Sequence, residues 1–136
     1  NGTIDEVSLV DKWNGKTNLG IDRGGLSISI IGEDGVRYYA SHFSNIDTAV
    51  VYVGAKVNAG DKLALVGNSG SARGTAPHVH FGISWPTQKD IWWVRRGAVN
   101  PFKYLKSWQS GKDLSPASEV LKLKNKMGEI PAQPKK

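Results

Sequence analysis

The segment Leu26-Ser27-Ile28-Ser29-Ile30 alternates apolar and polar residues without a break, Gly32-Glu33-Asp34-Gly35 supplies a turn, and Val36-Arg37-Tyr38-Tyr39-Ala40 resumes an extended pattern. Successive side chains of a strand point to opposite faces, so this alternation calls for a β-hairpin with one apolar and one polar face. Gly2-Thr3-Ile4-Asp5-Glu6-Val7 alternates in the same way and reads as a further strand. Val50-Val51-Tyr52-Val53 and Lys62-Leu63-Ala64-Leu65-Val66 read as two more, around a turn-rich stretch at 54–61, and a last strand is expected from His78 to Ser84. Residues 12–25 are polar and glycine-rich and read as a long loop. Sixteen glycines among 136 residues suit short strands joined by tight turns. A chain of this length buries roughly two-thirds of the surface its unfolded form exposes and needs no covalent staple. The expected fold is all-β and mainly antiparallel.

After Trp85 the pattern changes. Asn100 and Pro101 have the chemistry of a helix cap and a first helical residue, which predicts a short helix through Trp108. A second helix is expected from Ser115 to Met127, on a narrow apolar stripe, and Ile130 to Lys136 reads as disordered. The chain divides on this reading into a main domain, 1–108, and a basic, partly helical or disordered tail, 109–136. The tail carries six lysines against Asp113, Glu119 and Glu129, half of the formal net charge of +6. Such a balance suits polyanionic surroundings, and a solvated tail kept for solubility explains it equally.

With no cysteine, neither a disulfide framework nor a thiolate metal site is available, so metal ligands must come from His, Asp or Glu. No apolar run approaches the roughly 18 residues of a membrane span. The chain starts at Asn1 rather than Met, which reads as a processed product or a truncated piece.

Chemistry concentrates in a glycine-rich loop, Gly67-Asn68-Ser69-Gly70-Ser71-Ala72-Arg73-Gly74-Thr75-Ala76-Pro77, that runs into His78-Val79-His80-Phe81. Two of the three histidines lie here. On a strand, His78 and His80 share a face and can serve one metal or one substrate. Two ordinary structural histidines on a half-buried strand would give the same pattern. The third, His42, lies where the hairpin's second strand is expected to leave the sheet.

Gly67 to Phe81 closely resembles the diagnostic segment of the LytM/lysostaphin-type zinc endopeptidases, which cut peptide cross-links of bacterial peptidoglycan. Tyr38-Tyr39-Ala40-Ser41-His42-Phe43 is similar to that family's Tyr-x-His-Leu segment, and Val57 to Gly67 to its intervening turn and strand. Asn1-Gly2-Thr3-Ile4 fits its early Asp-Gly-x-Val strand. The resemblance covers residues 1 to about 105 and implies a lysostaphin-like antiparallel sheet with a short helical extension. It makes His80 a zinc ligand, and His42 and His78 the catalytic histidines that manage the proton and the oxyanion. It implies peptidoglycan or its peptide cross-links as partner, acidic wall polymers as a further one, no specific nucleic acid, and an extracellular or cell-envelope location.

The chain departs from the family pattern in two places. The H-x-x-x-D segment that supplies the other two zinc ligands precedes the first strand in the family, and this chain begins at that strand. Zinc is therefore expected to bind weakly or not at all to the chain as it stands. Asn18-Leu19-Gly20-Ile21-Asp22 resembles that segment with Asn for His, which offers Asp22 as a ligand; the alternative is a residue that shapes a turn. The second departure is an extra residue between Tyr39 and His42, which a β-bulge would absorb. Arg73 is either a clamp for a substrate carboxylate or a brace of its own loop. Trp85, Trp92 and Trp93 either rim a groove or close a core, with at least two expected in the core. Arg95, Arg96, Lys103 and Lys106 either meet acidic polymer or form a solvated face. Three functions follow: a zinc endopeptidase with an incomplete site, an inactive LytM-like wall-binding or regulatory module, or a structural part of an envelope or phage assembly.

Overall fold

A computed structural model describes residues 1–88 and 90–133. Its centre is an antiparallel sheet of strands β1 (Gly2–Ser8), β2 (Leu26–Gly32), β3 (Arg37–Ile46), β4 (Lys56–Val57), β5 (Ala64–Val66) and β6 (His80–Ser84). The order is β4-β1-β2-β3-β5, and β6 pairs with the first half of β3 while β5 pairs with the second. Three helices follow: α1 (Trp92–Arg95), α2 (Phe102–Gln109) and α3 (Ala117–Met127).

The alternation of the hairpin sorts the two faces of the sheet. Ile28 pairs with Ala40, which pairs with Phe81, and Ile30 pairs with Tyr38, which pairs with Ile83. These define the apolar face. The intervening layer runs Ser29, Tyr39, Gly82, with Ser41 opposite His80 and Arg37 opposite Ser84. That polar face is covered as well, since Ser29, Arg37, Tyr39, Ser41 and Ser84 are all buried.

Two register shifts load this polar face. Between Ile4 and Glu6, β1 carries one more residue than β2, so Asp5 and Glu6 both lie between apolar partners. Asp5 sits 3.8 Å from the buried Arg37 guanidinium, and Glu6 is bonded to Arg95. Between Ala40 and Phe43, β3 gains one residue on β2, and His42 takes φ +68°. The bulge predicted for the extra residue before His42 is thus present.

Several expected strand ends move. β3 continues past His42 to Ile46 instead of leaving the sheet. Residues 50–53 form a turn rather than a strand, because the N–H groups of Val50 and Val51 donate to the Asp47 carbonyl. Val51 still anchors the core, packed with Ile4, Ile28, Phe43, Ile46 and Val57. β5 starts at Ala64, and β6 at His80, with His78 held only by a bridge to Gly67. Asn100 accepts from the Phe102 N–H at 3.0 Å and caps α2 as its sequence suggests.

The C-terminal stretch lies against the sheet rather than apart from it. Val120 of α3 is buried in a second core with Ile83, Trp85, Val94, Val99 and Tyr104. The indole of Trp85 donates to the Glu129 carbonyl at 2.8 Å, and that of Trp93 to Pro131 at 2.9 Å. Asp34 in the hairpin turn accepts from the Tyr38 and Ser115 hydroxyls, each at 2.7 Å. The part of the expected disordered end at 134–136 lies outside the described residues.

This packing makes a direct prediction. Val120→Asp puts an unpaired carboxylate into the second core and should lower unfolding free energy by more than about 3 kcal/mol. Urea denaturation followed by tryptophan fluorescence measures it, and an unchanged midpoint would mean that the segment after residue 108 is dispensable to the fold.

Candidate functional site

The three histidines converge. The ring centre of His42 lies 5.2 Å from that of His78 and 6.3 Å from that of His80. Strand periodicity alone would have turned His42 to the apolar face with Ala40. The bulge turns it to the polar face instead, beside Ser41 and its partner His80.

Each imidazole is tied by one nitrogen to a backbone carbonyl. His42 Nδ1 lies 2.8 Å from the Ser69 oxygen, His78 Nδ1 2.8 Å from Ala76, and His80 Nε2 2.5 Å from Arg96. A carbonyl oxygen only accepts, so the bonded nitrogen carries the hydrogen and the other keeps its lone pair. The structure therefore presents Nε2 of His42, Nε2 of His78 and Nδ1 of His80 as bases. None of the three carbonyls leaves a mark in the sequence, since any residue type supplies one.

Burial holds His42 below its ordinary value of 6.5, and the neighbouring His78 and His80 push the same way, against the Ser69 bond and Asp11. Asp11 joins the site from the loop after β1. Burial acts to raise its pKa, but bonds from the N–H groups of Gly70 and Trp13 and from Arg73 hold the carboxyl below the usual range. Arg73 reaches Asp11 at 3.1 Å and lies over the Trp13 ring, so its bonds are those of a loop brace. Gly70 has φ +66°, and a Cβ there would lie 2.1 Å from the Arg23 carbonyl oxygen, so only glycine lets the loop after β5 nest against the loop before β2.

Asp22 ends a single 3-10 turn, Gly20–Asp22, and its carbonyl accepts from the Gly25 N–H. Asn18 accepts from the Trp13 indole and from Arg23 Nε, at 3.0 and 3.2 Å. Both residues shape the loop. Among the described residues, no three His, Cys, Asp or Glu side chains gather closely enough to hold a metal ion.

A cavity of about 170 Å³ opens beside His42 and His80 and is walled by Tyr39, Trp92 and three arginines, Arg23, Arg95 and Arg96. Arg95 is buried, and Arg96 is half-buried, so the solvated-face reading fails for both. Of the three tryptophans, Trp85 and Trp93 pack in or on the second core, and Trp92 lines the site.

Residues 13–101 match the sequence model of Peptidase family M23. The chain belongs to that family. Among solved structures, this M23 domain is similar to the catalytic domain of the antimicrobial peptidase lysostaphin from Staphylococcus simulans. Identity is 28% and the TM-score 0.56, over 78% of this chain and 65% of that one. A longer lysostaphin chain from the same organism matches at 29% identity and TM-score 0.55, over 85% and 39% of the two chains. The catalytic domain of a mutant of the prophage-encoded M23 protein EnpA from Enterococcus faecalis matches at 26% and 0.52, over 76% and 63%. The M23 domain described here thus spans less than two thirds of each of these chains. The mostly antiparallel curled sheet with a short helical part is the lysostaphin-like M23 fold.

The carbonyl ties predict a spectroscopic pattern. At pH 7, long-range nitrogen–proton spectra should show His42 and His78 protonated at Nδ1, and His80 at Nε2. His42 should take up a proton only below pH 6.5. Between its folded-state pKa and 6.5 the unfolded chain binds a proton that the folded chain refuses. This residue's contribution to stability therefore rises with pH through that window and is complete above it. A His42 titration at or above 6.5 would contradict the burial argument.

Proposed function

We propose that this M23 domain acts on bacterial peptidoglycan, at its peptide cross-links. In this reading His42 and His78 are the proton-handling and oxyanion-stabilising pair of a zinc endopeptidase site, and His80 is one ligand of its metal. The observation that supports it most is the convergence of three imidazoles, each with one nitrogen tied to a carbonyl and the other left as a base. A neutral His42 accepts a proton at neutral pH, which suits general-base work. The tie of His80 Nε2 to Arg96 is the arrangement that fixes a metal-binding imidazole in one tautomer.

A catalytic zinc takes three protein ligands. Residues 1–136 supply His80 alone, so the donor set present does not fit the ion by itself, and no hydrolytic step is assigned to these residues alone. What they do is bind and orient. His78, Val79 and the loop at 73–77 are exposed, which leaves an extended peptide free to lie against the backbone there. The cell envelope is the location that goes with this substrate, and the exposed Lys103 and Lys106 suit acidic wall polymers beside it. Residues 1–108 would carry the peptide-binding function, with 109–136 as the brace behind it.

The three arginines that wall the cavity beside His80 oppose a cation there and favour one further reading, a wall-binding or regulatory M23 module without hydrolysis. The chain should co-sediment with purified peptidoglycan under either reading, and failure to do so would remove both. After dialysis it should retain well under one equivalent of zinc by elemental analysis and release little peptide from cross-linked wall. Stoichiometric zinc with turnover that falls about 10²-fold or more in His42→Ala and His78→Ala would show instead a complete enzyme.

A further inference from the structure

The cavity beside His80 carries a charge that the domain itself does not balance. Arg95 is neutralised by Glu6 and stacks over Tyr39 at 5.2 Å. Arg23 is held by Asn18, a neutral partner, at 3.2 Å. Arg96 lies over the Trp92 ring at 4.4 Å, and none of the ion pairs among the described residues includes Arg23 or Arg96. Burial depresses the Arg96 guanidinium, and the charges of Arg23 and Arg95 push the same way.

This arrangement is built rather than incidental. Trp92 is pressed so closely on the loop before β2 that a Cβ at Gly20 would lie 2.2 Å from its ring. A Cβ at Gly82 would lie 2.4 Å from the Arg96 carbonyl oxygen, so a glycine in β6 is what allows residue 96 to reach His80. One residue therefore orients His80 with its carbonyl, lines the same cavity and lays its guanidinium over the Trp92 ring at the cavity wall.

Two guanidiniums without a carboxylate, beside a third that already has one, make a site for an oxyanion. A planar guanidinium offers paired N–H donors that match a carboxylate. The cavity's volume of about 170 Å³ admits a carboxylate with a small side chain. We infer that the cavity walled by Arg23, Arg96 and Trp92 is a subsite for the free carboxylate of a short peptide, next to His42 and His80. The inference rests on the peptide-binding reading above and needs no hydrolysis. It implies selection for wall peptides that carry a free carboxylate over neutral or amidated ones.

The test is binding of acetyl-dialanine as free acid and as C-terminal amide to the full chain, with inorganic phosphate as a third probe. Binding is read from the Trp92 indole and Arg96 Nε–H signals at low salt. The acid should shift both signals saturably and bind at least tenfold more tightly than the amide. Arg96→Gln and Arg23→Gln should each lower its affinity about tenfold or more, while Lys126→Gln, at an exposed position of α3, leaves it unchanged. Near-ultraviolet circular dichroism identifies variants that fold, and either arginine variant alone suffices. Equal binding of acid and amide, or no shift with either, overturns the subsite. Phosphate binding with the same arginine dependence, without binding of the acid, overturns the peptide assignment. Co-sedimentation with peptidoglycan is independent of all these outcomes, so a failed subsite and a failed peptidoglycan reading are distinguishable.

Discussion

The site depends on a conflict between strand periodicity and the need to gather polar groups on one side of a sheet. A regular β3 would alternate Tyr39, Ser41 and Phe43 on one face against Ala40 and His42 on the other. One extra residue, with His42 at φ +68°, puts Ala40 and Phe43 on the same apolar face and leaves Ser41 and His42 together on the other. The same device in β1 gives Asp5 and Glu6 to the polar face while Ile4 and Val7 keep to the core. A positive φ at a non-glycine residue costs on the order of 1 kcal/mol or more. The flanking pairs that hold it, Leu26 with Phe43 and Ile28 with Ala40, are apolar residues of the core.

A polar face buried under α1 and the loop before β2 must satisfy its groups internally. It does so in part, by ion pairs that cross between elements, Asp5 with Arg37 and Glu6 with Arg95, and by carbonyls aimed at the imidazoles, while Asp5 Oδ1, Ser29 Oγ, Arg37 Nε and Arg95 Nε are buried without a hydrogen-bond partner among the described residues. Replacing a carbonyl is not a matter of one side chain. The Ser69, Ala76 and Arg96 oxygens are placed by the path of the loop and by the close approach of residue 96 to β6. The bases of the site are thus a property of backbone geometry, and the histidines are its visible part.

This explains which parts were legible in the sequence. The hairpin, the first strand, the start of α2 and the bulge before His42 were readable, because alternation, turn residues and a one-residue excess are local signals. The LytM/lysostaphin-type segment from Gly67 to Phe81 carried the family. Residues 50–53 were misread as a strand because four apolar-rich residues have no way of announcing that the Asp47 carbonyl takes the N–H groups of Val50 and Val51. Arg95 and Arg96 looked like surface charge because their burial depends on Glu6 and Trp92, which are distant or ambiguous in sequence. The helical end looked peripheral because what ties it down, the burial of Val120, the Ser115 bond to Asp34 and two tryptophan indoles on the carbonyls of Glu129 and Pro131, joins residues far apart in sequence.

Charge then separates the two readings of the site more sharply than ligand count does. Around His80 the chain places three guanidiniums and one compensating carboxylate, Glu6, in a partly closed space where water screens weakly. A divalent cation beside His80 adds to that positive field, whereas a carboxylate relieves it. An acidic ligand residue or a substrate carboxylate at this face would offset that field. An oxyanion held by Arg23 and Arg96 would lower the electrostatic cost of a cation next to it, and by linkage such a cation would tighten the oxyanion equally.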